Sequence, residues 1–174
     1  MIDRSLDRND AGQWGQLLDS WCPLPAILFD RYLNVVAATD SAAGLSEAFR
    51  VGQNLARFAF LSPEGQSSHP RWRESAAATA GLLRLFVDEH DVDRASERFL
   101  GELSTESRDF SELWADSTPP PRMTGQIIFE SADAGELHFT YSVLGLTNHD
   151  ELAVLVFTPS DPISRASVAR RAVN

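Results

Sequence analysis

The amino-acid sequence predicts an α+β fold in which a five-stranded antiparallel sheet carries helices packed on one face. Three observations lead there. Two short apolar, partly β-branched runs, residues 26–29 and 33–38, flank the polar pair Asp30-Arg31 near the start of the chain. The middle of the chain then shows apolar residues three and four apart, the period of helices. From Gln126 onward the period changes to two, and three strand-like runs follow.

Taken in order, residues 1–12 are polar with spread charges and predict a frayed end. In residues 13–21, Trp14, Leu17, Leu18 and Trp21 share one helical face, so this short amphipathic helix must dock on something. Pro23 and Pro25 end it. The runs 26–29 and 33–38 predict a hairpin. Asp40-Ser41 is placed to cap a short helical piece through Leu45. Residues 54–61 form an apolar patch in which Leu55, Phe58 and either Phe60 or Leu61 share a helical face; Pro63-Glu64-Gly65 then predicts its stop, with 66–70 as loop.

The longest pattern spans residues 72–87. Trp72, Ala76, Thr79, Ala80, Leu83 and Val87 form one stripe, widened by Leu82 and Phe86, and three consecutive alanines at 76–78 allow close approach of a neighbour. Arg84 lies between Leu83 and Leu85. Its guanidinium must snorkel out, pair with a carboxylate such as Asp88 one turn on, or meet an acidic ligand.

The acidic stretch 88–93 around His90 has two readings, a divalent metal site or a helix cap. It lacks the glycine and the spaced acids of a calcium loop, so we expect no metal here and a cap by Asp91 or Asp93 on a helix over 94–103. Ala95, Phe99, Leu100 and Leu103 are that helix's expected buried face. Ser107 caps a third helix, with Asp109 in its first turn and Phe110, Leu113 and Trp114 on one side. Prolines at 119–121 force an extended connector. Of the strands that follow, residues 127–129 are one. In the next, Leu137, Phe139, Tyr141 and Val143 alternate with His138, Thr140 and Ser142. The continuous apolar run 152–157 belongs at the sheet centre, covered on both faces. Residues 161–174 lack a stripe and read as a polar tail, giving an amphipathic segment at 1–22, a domain at 23–160 and a tail at 161–174.

Composition narrows function. The 174 residues carry a net charge of −10, and all 15 basic residues are arginine. An acidic surface repels the phosphate backbone, so direct nucleic-acid binding is not expected. Without lysine there is neither Schiff-base chemistry nor a P-loop lysine. No run reaches the roughly 18 apolar residues of a membrane span. The N-terminus lacks a secretory signal, and a lone Cys22 agrees with a reducing cytosol, so a cytoplasmic protein is expected. The four histidines stand in dissimilar contexts, and no nucleophile elbow, HExxH or glycine-rich phosphate loop occurs, which predicts neither an enzyme nor a cofactor.

Two strands, a helical block and three more strands is the arrangement of a PAS-like domain, in which the sheet order is 2-1-5-4-3 and the enclosed volume lies between helices and sheet. From Pro25 to about Asp161 the chain resembles the ligand-binding domain of the MmyB-like transcription regulators. The resemblance is carried by Asp30-Arg31 with 33–38; Asn54-Leu55, Phe58, Phe60 and Pro63; Trp72 and Leu83-Arg84; residues 100–103; Ser107, Phe110 and Trp114; and Thr124-Gly125. Asp40 replaces an asparagine common at its position, and Asp116-Ser117-Thr118 replaces basic and histidine residues, so those positions are not carried over. The helix-turn-helix that usually precedes the module does not fit in residues 1–24.

The resemblance implies a sensor module that holds a small apolar or amphipathic ligand, with a fatty acid the natural candidate. An apolar pocket with a few polar anchors is what such a ligand requires. Phe58, Phe60, Trp72, Leu83, Phe110, Trp114, Phe139 and Tyr141 are its candidate lining, and Arg84, His138 or the Tyr141 hydroxyl its candidate carboxylate contacts. The alternative is a dimerisation or interaction module with a filled core, favoured by the tryptophans of segment 13–21. The partner is then a second copy or a separate helix-turn-helix regulator.

Overall fold

In a computed structural model of the chain, residues 8–21, 24–67, 71–90, 93–116 and 122–171 are described. The helical middle and the two strand regions fall where the change of period places them. Helix α1 (Arg8–Trp21) precedes the hairpin β1 (Ala26–Asp30) and β2 (Val35–Ala38). Then come α2 (Asp40–Ala43), a 3-10 turn Glu47–Phe49, α3 (Leu55–Leu61), α4 (Pro63–Ser67), α5 (Trp72–Glu89), α6 (Arg94–Glu106) and α7 (Arg108–Ala115). The chain continues through β3 (Thr124–Ser131), β4 (Gly135–Leu146), β5 (His149–Pro159) and α8 (Pro162–Arg171).

The five strands form one antiparallel sheet in the order β2-β1-β5-β4-β3, as expected. The continuous apolar run lies in the central strand, and Leu152, Ala153, Val154 and Leu155 are all buried. Alternation sorts its neighbours. Ile27, Phe29, Val143, Leu155 and Phe157 face a core shared with α3, α5, α6 and α7. Ala26, Leu28, Ala37, Leu152 and Val154 face the other way and meet Leu18 of α1. The N-terminal helix therefore docks on the face opposite the helical block, and Trp14 meets the His149 ring edge-on at 5.3 Å. A strand that is apolar on both sides needs a cover on both sides, and α1 supplies the second.

Polar side chains join hairpin and helices. The Asn54 carbonyl caps α3 by accepting from the Arg57 N–H at 2.9 Å, while its amide donates to the Tyr32 carbonyl at 2.7 Å and to Asn34 at 2.9 Å. In the turn between β1 and β2, Leu33 takes φ 65°, a region costly for a side chain of this size. Its side chain is fully buried, and the Asp30 carboxylate accepts from the backbone of Tyr32 and Asn34, so packing and hydrogen bonds hold the turn. Asp93 caps α6 by accepting from the Ser96 N–H at 2.8 Å. The same carboxylate pairs with the Arg31 guanidinium and accepts from the Tyr32 hydroxyl, tying that turn to α6.

Several expectations are corrected. The cap of α2 is Thr39 rather than Asp40-Ser41, because its hydroxyl accepts from Ala42 and also from the β1 residue Ala26. Pro63 starts α4 instead of stopping α3 into a loop, the first-turn position where a missing N–H costs nothing. Residues 68–70 lie outside the described residues. On α6, Ala95 is exposed and Ser96 is buried in its place. Residues 161–174, expected as a polar tail, carry α8. Its inward positions are Ser164, Ser167 and Val168. Asp161 accepts from the Ser164 N–H at 2.9 Å, and the Ser164 hydroxyl accepts from the β4 N–H of His138 at 2.8 Å.

Asp93 yields a test. The backbone N–H of Ser96, the Tyr32 and Ser96 hydroxyls and the Arg31 guanidinium hold its carboxyl well below the usual carboxylate range. A carboxylate depressed in the folded state stabilises the fold above its unfolded value, about 3.9, and that contribution is lost as pH falls. Asp93→Asn keeps a capping side chain but removes the charge. Urea unfolding at a series of pH values is expected to show a lower stability for the variant at neutral pH and a flatter decline below about pH 5. Parallel profiles for variant and parent contradict the assignment.

Candidate ligand groove

Helix α5 changes character along its length. Ser75, Ala78, Thr79 and Leu82 share one face, and the first three are too short to reach the sheet. One turn on, Leu83 and Phe86 are large and buried, and Phe86 meets Phe29 of β1 edge-on at 5.7 Å. The gap left beside the first half of the helix is a groove of about 130 Å³ that opens to solvent. Strands β3, β4 and β5 form the opposite wall, and the 3-10 turn with α3 and α4 forms the end. Gly65 of α4 is obligatory there, because a Cβ would fall 1.9 Å from the Phe58 carbonyl oxygen.

The floor is aromatic and dry. Phe49, Phe129 and Phe157 are 6, 5 and 1% exposed, and their ring centroids lie 4.9 to 5.7 Å apart. The mouth is half-buried. The Trp72 indole N–H donates to the Ala59 carbonyl at 2.8 Å, which pins the ring and fastens α5 to α3. Tyr141 stands opposite Gly125 in the β3–β4 register, and a Cβ at 125 would fall 2.7 Å from the ring and its oxygen. Glycine thus lets the ring lie across the edge strand. Burial pushes the Tyr141 phenol pKa up, with the Arg122 charge acting the other way, so the phenol keeps its proton at neutral pH.

Most other polar groups of the lining are already engaged. The Ser46 hydroxyl accepts from the Ala48 N–H, and the Thr79 hydroxyl donates to the Ser75 carbonyl. Arg122, just ahead of β3, is exposed and is the one cation among the described lining residues. The described lining holds no carboxylate, histidine or cysteine.

Of the ten residues singled out in the sequence, Phe58, Trp72 and Tyr141 line this groove. Phe60 and Phe110 are buried behind it in a chain of rings, Trp72 to Phe60 at 6.5 Å, Phe60 to Phe110 at 5.1 Å and Phe110 to Trp114 at 5.3 Å. Leu83 is fully buried core, and Phe139 packs behind the floor, 5.7 Å from Phe129. His138 alternates to the other side of β4, exposed and 3.6 Å from Glu136. Arg84 does not line the groove either. It lies about 200° around the helix from Leu82, its guanidinium sits 4.6 Å above the Trp114 ring, and it donates to the Trp114 carbonyl at the end of α7. Asp88 is not its partner among the described ion pairs.

Periodicity could not find Arg122, which follows a proline run outside any element. Thr124-Gly125 ahead of a strand carried the only hint of the close approach at Tyr141. The acidic stretch contributes its Asp93 as a cap, and no group of three potential metal ligands occurs among the described residues; Asp91 lies outside them. No helix among the described residues is long and apolar enough to cross a membrane. The family model for the MmyB-like transcription regulator ligand binding domain matches residues 12–170. No curated protein matches the chain.

The placement of Arg84 is testable by Arg84→Met, which keeps an apolar stem. Loss of a charge-assisted hydrogen bond at this half-buried position is expected to cost about 1.5 kcal/mol in urea unfolding. An unchanged midpoint with an unchanged slope refutes the contact.

Proposed function

The chain belongs to the MmyB-like transcription regulator ligand-binding domains, and from that premise we propose that its groove is a sensor site for a small apolar or amphipathic ligand such as a fatty acid. The observation that carries this reading is a groove left open between α5 and the sheet. Interiors normally pack at the density of organic crystals, so a persistent gap with an aromatic floor and a polar mouth suits an occupant. The same gap argues against the alternative of an interaction module with a filled core. A lining without carboxylate, histidine or cysteine offers no acid-base pair and no thiol nucleophile, which supports binding rather than catalysis. With a net charge of −10, the output of the module passes to a helix-turn-helix regulator rather than directly to DNA.

Native mass spectrometry of the purified chain, followed by organic extraction, tests the proposal. The expected result is a bound mass of lipid size that extraction removes, and delipidated protein that takes up a medium-chain fatty acid with a change in tryptophan fluorescence from Trp72. A ligand-free dimer that takes up no acid would support the interaction module and overturn the sensor.

A further inference from the structure

The groove is chemically lopsided. Its floor, the buried rings of Phe49, Phe129 and Phe157, offers nothing to a polar atom. At its mouth stand an exposed guanidinium on Arg122 and the protonated phenol of Tyr141. No hydrogen bond or ion pair to another described residue occupies either group. Both border the same groove, and the missing Cβ of Gly125 sets the phenol there. A guanidinium presents a planar fork of donors with no acceptor, and the phenol hydroxyl adds one more donor.

We propose that Arg122, assisted by the Tyr141 hydroxyl, is the anion anchor of the groove. Its ligand is then an amphiphile with a single acidic head at the mouth and an apolar tail on the phenylalanine floor. This rests on the reading of the groove as a ligand site and adds the orientation and the residues responsible. A carboxylate accepts the arginine fork through both oxygens, whereas an alcohol of the same chain length offers a neutral acceptor. The tail contributes to the affinity of both molecules, and the anchor contributes far more to that of the acid.

The experiment compares dodecanoic acid with dodecan-1-ol on the delipidated full chain at about pH 8, where the acid is ionised. The parent is expected to bind the acid about ten- to a hundredfold more tightly than the alcohol, the range for a hydrogen bond to a charged group. Arg122→Gln is expected to weaken acid binding far more than alcohol binding and so remove that preference, and Tyr141→Phe to reduce it by less than tenfold. Acid binding by the parent should weaken with added salt and alcohol binding should not, a readout that needs no variant. Equal binding of acid and alcohol by the parent, or an acid preference that survives in Arg122→Gln, overturns the anchor and leaves the sensor reading standing. Binding of neither molecule overturns the sensor reading, and the anchor with it.

Discussion

The groove exists because α5 is held off the sheet at both ends while the side chains between are small. At its C-terminal half, Leu83 and Phe86 fill the space to β1, and Phe86 rests on Phe29. At its first turn, the Trp72 indole is hydrogen-bonded to the carbonyl of Ala59, and the Phe60–Phe110–Trp114 rings fill the side away from the sheet. Between these supports, Ser75, Ala78 and Thr79 leave the sheet uncovered. Collapse of the helix would gain dispersion contacts, yet it would break the Trp72 bond and disturb two aromatic contacts at once.

The sheet that forms the other wall depends on cover from outside as well. β5 is buried along four consecutive residues, so half its apolar surface points away from the helical block. Leu18 and Trp14 of α1 take up that side. The hairpin at the sheet edge is tied to the helices by Asn54 and Asp93, each of which caps a helix and bonds the β1–β2 turn with the same side chain.

How much of this was legible in the sequence differs by kind of signal. Helix α5, the caps Ser107 and Asp93 and the central place of 152–157 follow from local period and capping chemistry, and all are found. Helix α8 escaped because its inward residues are serines, buried through hydrogen bonds rather than apolarity. The groove was harder still. Aromatic identity predicts burial, and Phe60, Phe110 and Phe139 are indeed buried, but it does not say which side of a buried ring is empty. Arg84 sits among leucines as an anchor would, yet α5 has apolar neighbours on two sides, and period alone cannot separate the side toward the groove from the side toward α7. Emptiness comes from residues too small to reach across, which are the ones a search for chemistry passes over.

The pleat of β5 makes that strand a partition between the groove and the packed cluster beneath α1. Leu155 and Phe157 border the groove, while Val154, one residue away, belongs to the cluster that seats α1. Neighbouring side chains on a strand share one backbone and point to opposite sides. The main chain of β5 that borders the groove on one side therefore carries the seat of the N-terminal helix on the other.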